Sequence, residues 1–172
     1  LKNQDPLKIS VKMIVRKSNI IFDFAGTSPQ VKTAINNVPS SATSAVMFGI
    51  RTLTGDSSPD NEGGFRPVSI KFPKGSIVNP DFPAPVAARS VSLRRVVDVI
   101  LGVLAQAIPD RYPAANCGQA SVIYLGSIDE KTNKSIVGAI GGPWMGGMGA
   151  RPKKDGIDTT DHDAFHMVLP KP

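Results

Sequence analysis

Leu93, Val96, Val97, Ile100, Leu101, Leu104 and Ile108 recur at intervals of three and four, and Pro109 follows them. That spacing gathers the side chains on one face of a helix. It predicts a helix over 92–108, closed by a proline with no amide to continue the ladder. An apolar face this wide has to bury itself against another layer. A second helix is expected over 41–54. Ala42, Ala45, Val46, Gly49, Ile50 and Leu53 share a face there, Ser40 or Ser41 stands as N-cap, and Gly55 as the stop.

The rest reads as short strands. Leu7 to Val15 opens with strict apolar–polar alternation, and Ile20–Phe24 follows after the polar turn Arg16–Asn19, so the two form a hairpin. Val68–Phe72 alternates and is turned by Pro73, Lys74 and Gly75. Residues 56–66 are polar and read as a loop, and Asn79–Pro85 is too rich in proline for a helix or a central strand. The apolar runs Ser121–Leu125 and Ser135–Ile140, joined through Ile128–Asn133, predict another hairpin. The sum is an α+β fold, with paired antiparallel strands in a mixed sheet packed against two core helices. A single domain is expected over 1–172. The chain starts at Leu1 without a methionine and ends at Pro172 just after an apolar stretch, so it reads as a segment of a longer protein.

Charge and cysteine content narrow the function. The formal net charge is +6, carried by lysines near both ends, with no basic stripe interleaved with aromatics, so nucleic acid is not an expected partner. Cys117 is the only cysteine, which rules out an internal disulfide and a CxxC zinc site and fits a reducing, cytoplasmic setting. Asp98 and Gln106 interrupt the apolar run from Val96 to Ile108, so no membrane span is expected, and no signal peptide is visible.

Glycine density singles out one loop. Gly138, Gly141, Gly142, Gly146, Gly147 and Gly149 fall within twelve positions, around Trp144 and just before Arg151. Glycine loses more backbone freedom on folding than any other residue, so such density needs a cause. Close approach of a ligand or of a second backbone is one, and a purely structural turn is the other. The P-loop spacing and the GxGxxG dinucleotide fingerprint are both absent.

Several single residues have chemistry open to two readings. Asp23, between Phe22 and Phe24, either faces a cleft as base or ligand, or lies on the outer face, or accepts backbone amides of the turn at Gly26. Asn36, Asn61 and Asn79 sit in turn sequences, where their amides either cap the turn or serve a site. Arg89 and Arg151 either clamp an anionic intermediate or form structural ion pairs. Cys117 is either a nucleophile or a small buried hydrophobe. His162 and His166 would share a helix face and could bind a metal with Asp161 or Asp163, though no helix signature surrounds them.

Taken in order, the loops resemble one family. Asp23 to Gln30 (DFAGTSPQ) resembles its DFxGTSPQ segment, and Asn36 falls where that family's IN follows. Pro59 to Pro67 (PDNEGGFRP) resembles PxNxGxxRP, and Pro73 to Pro80 (PKGSIVNP) resembles PxGSxxNP. Ala87-Ala88-Arg89, then Arg95 to Asp98, Ala105 to Pro109, Gly146 to Pro152 and Asp155-Gly156 complete the series. The chain is identified as a member of the hydantoinase B/oxoprolinase family.

That resemblance implies a B-type subunit of an ATP-dependent cyclic amide hydrolase acting on hydantoins or 5-oxoproline. A partner A-type subunit is expected to use ATP and Mg²⁺ to phosphorylate the substrate carbonyl oxygen, in a hetero-oligomer, and the B-type subunit to complete hydrolysis. The family's ATP-dependent ketone carboxylases make carboxylation the alternative, and a non-catalytic assembly domain is another. The resemblance places the family's metal motifs upstream, so no metal or cofactor is expected on this segment, a divalent metal elsewhere in the full-length protein is open, and the segment alone is expected to be inactive. Asp23, Asn36, Asn61, Arg89 and Arg151 are the catalytic candidates. Gly141, Gly142, Gly146, Gly147 and Gly149 are the candidates for a substrate-binding or interface loop. The stretch Asp161 to Met167 departs from the family pattern, and no role carries over to His162 or His166.

Overall fold

A computed structural model describes residues 6–54, 61–115, 122–141 and 149–156. Contacts divide the chain into two compact units, Leu1–Tyr112 and Pro113–Pro172. Cys117, Gly142, Trp144, Gly146, Gly147, His162 and His166, and the stop expected at Gly55, lie outside the described residues.

The first unit is α+β. β1 (Lys12–Arg16) and β2 (Asn19–Asp23) form the expected hairpin, although the first strand begins only at Lys12, after most of the alternating residues expected from Leu7, with Arg16 opposite Asn19 and Lys17 at a φ of 52° in the turn. β3 (Val68–Lys71) adds to the other edge of β2 in parallel, which makes the sheet mixed, in the order β1-β2-β3. A parallel neighbour needs a crossover. Here the crossover carries α1 (Pro39–Thr54) and the single turn α2 (Glu62–Phe65). The expected loop over 56–66 therefore holds one helical turn. α3 (Arg89–Ala107) follows β3 and runs into a 3₁₀ turn at Pro109–Arg111.

Both long helices start earlier than their serines suggest. α1 opens at Pro39, with the Ala42 amide donating to the Val38 carbonyl, so Val38 stands at the cap and Ser40 and Ser41 lie inside the first turn. Proline suits that first position because its missing amide would have had no helical acceptor. α3 opens at Arg89, not at 92, because backbone bonds fasten its start: the Ala88 amide reaches Ala34 and the Val91 amide reaches Ala88.

The apolar faces meet as the spacing requires. Ala42, Ala45, Val46 and Ile50 of α1 and Val96, Val97, Ile100 and Leu104 of α3 are buried together with Phe22, Phe24, Ile77 and Val78. On β2 and β3 the pairs Ile20–Val68 and Phe22–Ile70 share the core side, while Asp23 and Lys71 pair on the other. The two helices run in the same direction. Asn37 meets Ser92 at their starts, Gly49 lies against Ile100 and Leu104 midway, and Thr52 meets Tyr112 near their ends.

Tyr112 gives the core a titrating group. Thr52 donates its hydroxyl proton to the Gly49 carbonyl at 2.6 Å, which leaves Tyr112 as donor to Thr52 Oγ1 at 3.0 Å. Burial pushes the phenol up from its usual range, partly offset by the Arg111 charge. A raised folded pKa means the contribution is complete below the unfolded value of about 10 and is lost as pH rises through the folded value. Tyr112→Phe should therefore cost about 1 kcal/mol near pH 7, where a hydrogen bond is lost, and progressively less above about pH 10. Urea unfolding of both proteins across that range checks it; parallel curves would contradict it.

The second unit holds the expected second hairpin. β4 (Val122–Asp129) pairs antiparallel with β5 (Lys134–Gly141), from Val122 opposite Gly141 to Asp129 opposite Lys134. Asp129 builds the turn by accepting the Lys131 amide and the Thr132 hydroxyl, and Asn133 takes a φ of 54°.

Candidate functional site

The loops after β2 and β3 lie together, beside the starts of α1 and α3. Four backbone bonds lace them: Gln30 to Gly75, Ile77 to Ser28, Asn37 to Ile77, and Ala88 to Ala34. This is the end of a parallel strand pair where loops and helix N-termini converge, the position at which open α/β sheets hold ligands.

Motif side chains add to the lacing and shape the loops. Thr27 Oγ1 accepts the Ser10 amide and donates to the Ser10 carbonyl, both at 3.1 Å, and Gly26 makes the turn before it at a φ of 85°. Gln30 reads both backbone groups of Asp81, accepting its amide at 2.6 Å and donating to its carbonyl at 3.3 Å. Gly75 takes a φ of 72°, and the neighbouring Ser76 donates to the Pro73 carbonyl at 2.7 Å.

Asn36 is wholly buried and occupied. Its Oδ1 accepts the Val31 amide at 2.8 Å, and its Nδ2 faces the carbonyls of Val31, Thr33 and Pro85 at 2.7, 3.1 and 3.0 Å. The amide thus fastens the loop after β2 to the loop after β3, and its polar atoms point at backbone. Asn37, next to it and also buried, donates to Ser92, whose hydroxyl turns back to the Ile35 and Arg89 carbonyls. Gln30 was legible within the motif that contains it; nothing in the sequence singles out Asn37 or Ser92.

Two other candidates border the same loops. Asp23 is half-buried on the outer side of β2 with Lys12 and Lys71 as its cross-strand partners, and it accepts the Ala25 amide at 3.0 Å. Arg89 is exposed at the first position of α3. Neither α1 nor α3 has an acidic residue in its first turn. A cation at a helix N-terminus opposes the macrodipole. Arg89 is therefore not placed to stabilise its own helix, and its charge adds to that of a helix start with no acidic residue in its first turn.

Asn79 stays within the loop after β3, where its backbone pairs with Ser76, and the other candidates lie elsewhere. Asn61 is exposed at the N-cap of α2 and makes no side-chain cap bond there. Asn79 donates weakly to Phe72, at 3.4 Å. Arg151 belongs to the second unit, where its Nε donates to the Asp155 carbonyl at 3.0 Å. Gly141 ends β5 opposite Val122. At Gly149 an added Cβ would overlap the Ala114 carbonyl, so the backbone that comes close there is the chain's own. Among the described residues no three His, Cys, Asp or Glu side chains converge as a metal site would need, and no helix is long and apolar enough to cross a membrane.

The fold and these laced loops define a hydantoinase B-like segment, and comparison with known proteins agrees. The chain belongs to the hydantoinase B/oxoprolinase family, whose model matches residues 1–170. It is 35% identical over 172 residues to a protein of Pseudomonas sp. (strain NS671) named as a D-/L-hydantoinase B subunit, covering 94% of this chain and 28% of that protein. It is 35% identical over 136 residues to the 5-oxoprolinase of Saccharomyces cerevisiae, covering 76% of this chain and 10% of the relative. The crystal structure of ATP-dependent caprolactamase from Pseudomonas jessenii has the same fold, with a TM-score of 0.73 at 24% identity over 90% of this chain and 27% of that one. The chain thus spans between a tenth and little more than a quarter of the length of these proteins.

Proposed function

We propose that this chain is part of the B-type subunit of an ATP-dependent cyclic amide hydrolase, opening a hydantoin, 5-oxoproline or related lactam ring. One observation carries the reading: the match to the Pseudomonas hydantoinase protein runs along almost the whole chain. An A-type partner in a cytoplasmic hetero-oligomer spends ATP, with Mg²⁺, to phosphorylate the ring carbonyl oxygen. An amide carbon is a poor electrophile, and phosphorylation gives it a good leaving group. Water adds to that carbon, the ring nitrogen takes a proton and leaves as the C–N bond opens to an acyl phosphate, and a second water releases phosphate and the carboxylate.

This segment supplies the laced loop cluster for the phosphorylated ring. Arg89, with its planar fork of donors, suits a phosphoryl group. Asp23, at the end of β2, is the carboxylate candidate for positioning water, and Asn61, Arg151 and the glycine run are further candidates for contacts with substrate or partner. Asn36 keeps the cluster in shape from beneath.

The test is the full-length protein mixed with its A-type partner, ATP and each of hydantoin, N-methylhydantoin, 5-oxoproline and caprolactam. Ring opening in step with ADP release is expected. No ring opening of any of them, with bicarbonate-dependent consumption of a ketone, would replace the reading with a carboxylase. Within the hydrolase, Arg89→Ala should lower kcat/KM by about 100-fold, the scale of a lost transition-state donor. The melting temperature should stay within a few degrees because the side chain is exposed. Unchanged kcat/KM would remove Arg89 from the site.

A further inference from the structure

The hairpin of β4 and β5 is apolar on both sides. Leu125, Ile128, Ile136 and Val137 are 55%, 62%, 56% and 70% exposed. The register sets Leu125 opposite Gly138 and Ser127 opposite Ile136, so Leu125 and Ile136 share one side of the ribbon. It sets Gly126 opposite Val137 and Ile128 opposite Ser135, so Ile128 and Val137 share the other. The charged residues Asp129, Glu130, Lys131 and Lys134 gather at the turn, and none stands between Val122 and Ile128 or between Ser135 and Gly141.

A solvated ribbon does not have this pattern. A lone two-stranded hairpin is marginal in water, and strand edges that face solvent are usually blunted by lysine or proline. Among the described residues these two strands pair only with each other. Uncharged strands that are apolar on both sides are what sheets covered on both faces contain. The glycines add a second sign. An added Cβ at Gly126 or Gly138 meets nothing within 4 Å, so there is open space beside Val137 and Leu125 for side chains from another element.

We infer that β4 and β5 are inner strands of a larger sheet within a full-length B-type subunit, whose remaining chain adds strands at their edges and packs apolar side chains on both faces of the ribbon. The occupant follows from length. In the hydantoinase relative and in the caprolactamase chain the matched stretch is 28% and 27% of one continuous polypeptide, so the covering elements are available in the same molecule. The inference rests on the chain being part of such a protein and needs none of its catalytic chemistry.

Hydrogen exchange read by mass spectrometry tests it, on the full-length protein and on the 172-residue chain under one set of conditions. Amides of 122–129 and 134–141 should exchange at least about 100-fold more slowly in the full-length protein. Ile136→Lys and Val137→Lys, one on each side of the ribbon, should each remove that protection in the full-length protein. Equal exchange in the two wild-type forms would overturn the inference, as would lysine variants that keep full protection. Protection that appears only at concentrations where the protein dimerises would name a second copy as the occupant and overturn it as well. Turnover is not read, so failure of the proposed hydrolase activity leaves this result to stand or fall alone.

Discussion

Replacing Asn36 by alanine should unfold the first unit or cost about 4 kcal/mol, most of the margin of an ordinary domain. The side chain is wholly buried, and its removal strands the Val31 amide at one end and the carbonyls of Val31, Thr33 and Pro85 at the other. Asn36→Asp separates this polar role from simple loss of volume. The carboxylate still accepts the Val31 amide, but its second oxygen now faces three carbonyls where the amide donated. Those carbonyls disfavour the charge, so the carboxyl is pushed above its usual value of about 4. A raised folded pKa gives stability that is complete below the unfolded value and lost as pH rises through the folded one. The variant should therefore be closer to wild type at about pH 4 than at pH 7, when the two are compared at each pH by urea unfolding. An aspartate variant as stable as wild type at neutral pH would show that the donor side of the amide contributes nothing.

Asn36 also illustrates where sequence reading stops. Its place in a turn was legible, and so was the alternative that its amide serves the turn. Its partners were not, because Pro85 lies 49 residues away and its approach depends on how two loops cross. The helices were legible for the opposite reason. Their signal is local and repeats every three or four positions, so 92–108 and 41–54 were found within three residues of Arg89–Ala107 and Pro39–Thr54. Their starts were displaced because backbone carbonyls fixed them, where the serines suggested side-chain caps. The parallel pairing of β3 on β2 was hidden, since strand alternation looks the same in either direction. The family motifs were legible as a set, yet much of what they encode is architecture: Thr27, Gln30, Asn36 and Ser76 spend their polar atoms on backbone. Arg89 is left as the motif residue whose charge its own helix opposes, and a group that costs local stability is the better candidate for chemistry.

Gly49 should be nearly as intolerant, and the sign of its effect should reverse when one neighbour is trimmed. In the middle of a helix, alanine is worth about 1 kcal/mol more than glycine, so Gly49→Ala on an open surface would stabilise. At this crossing the added Cβ would overlap Ile100 Cγ2 and press on Leu104 Cδ1 at 3.3 Å. Both belong to α3, and Ile100 is wholly buried, so it cannot swing into water. Overpacking of this kind costs about 1–3 kcal/mol, which exceeds the propensity gain and makes the alanine variant less stable than wild type. A valine, with two further methyl groups in the same space, should push the helices apart and lose the fold. Ile100→Ala alone removes the obstructing methyl and leaves a cavity, at about 2–5 kcal/mol. In that background Gly49→Ala enters vacant space, keeps the propensity gain, and should stabilise by about 1 kcal/mol. The double-mutant cycle thus predicts strong coupling of favourable sign between two residues on facing helices. If Gly49→Ala destabilises equally with and without Ile100, the glycine is required for a reason other than the α1–α3 approach.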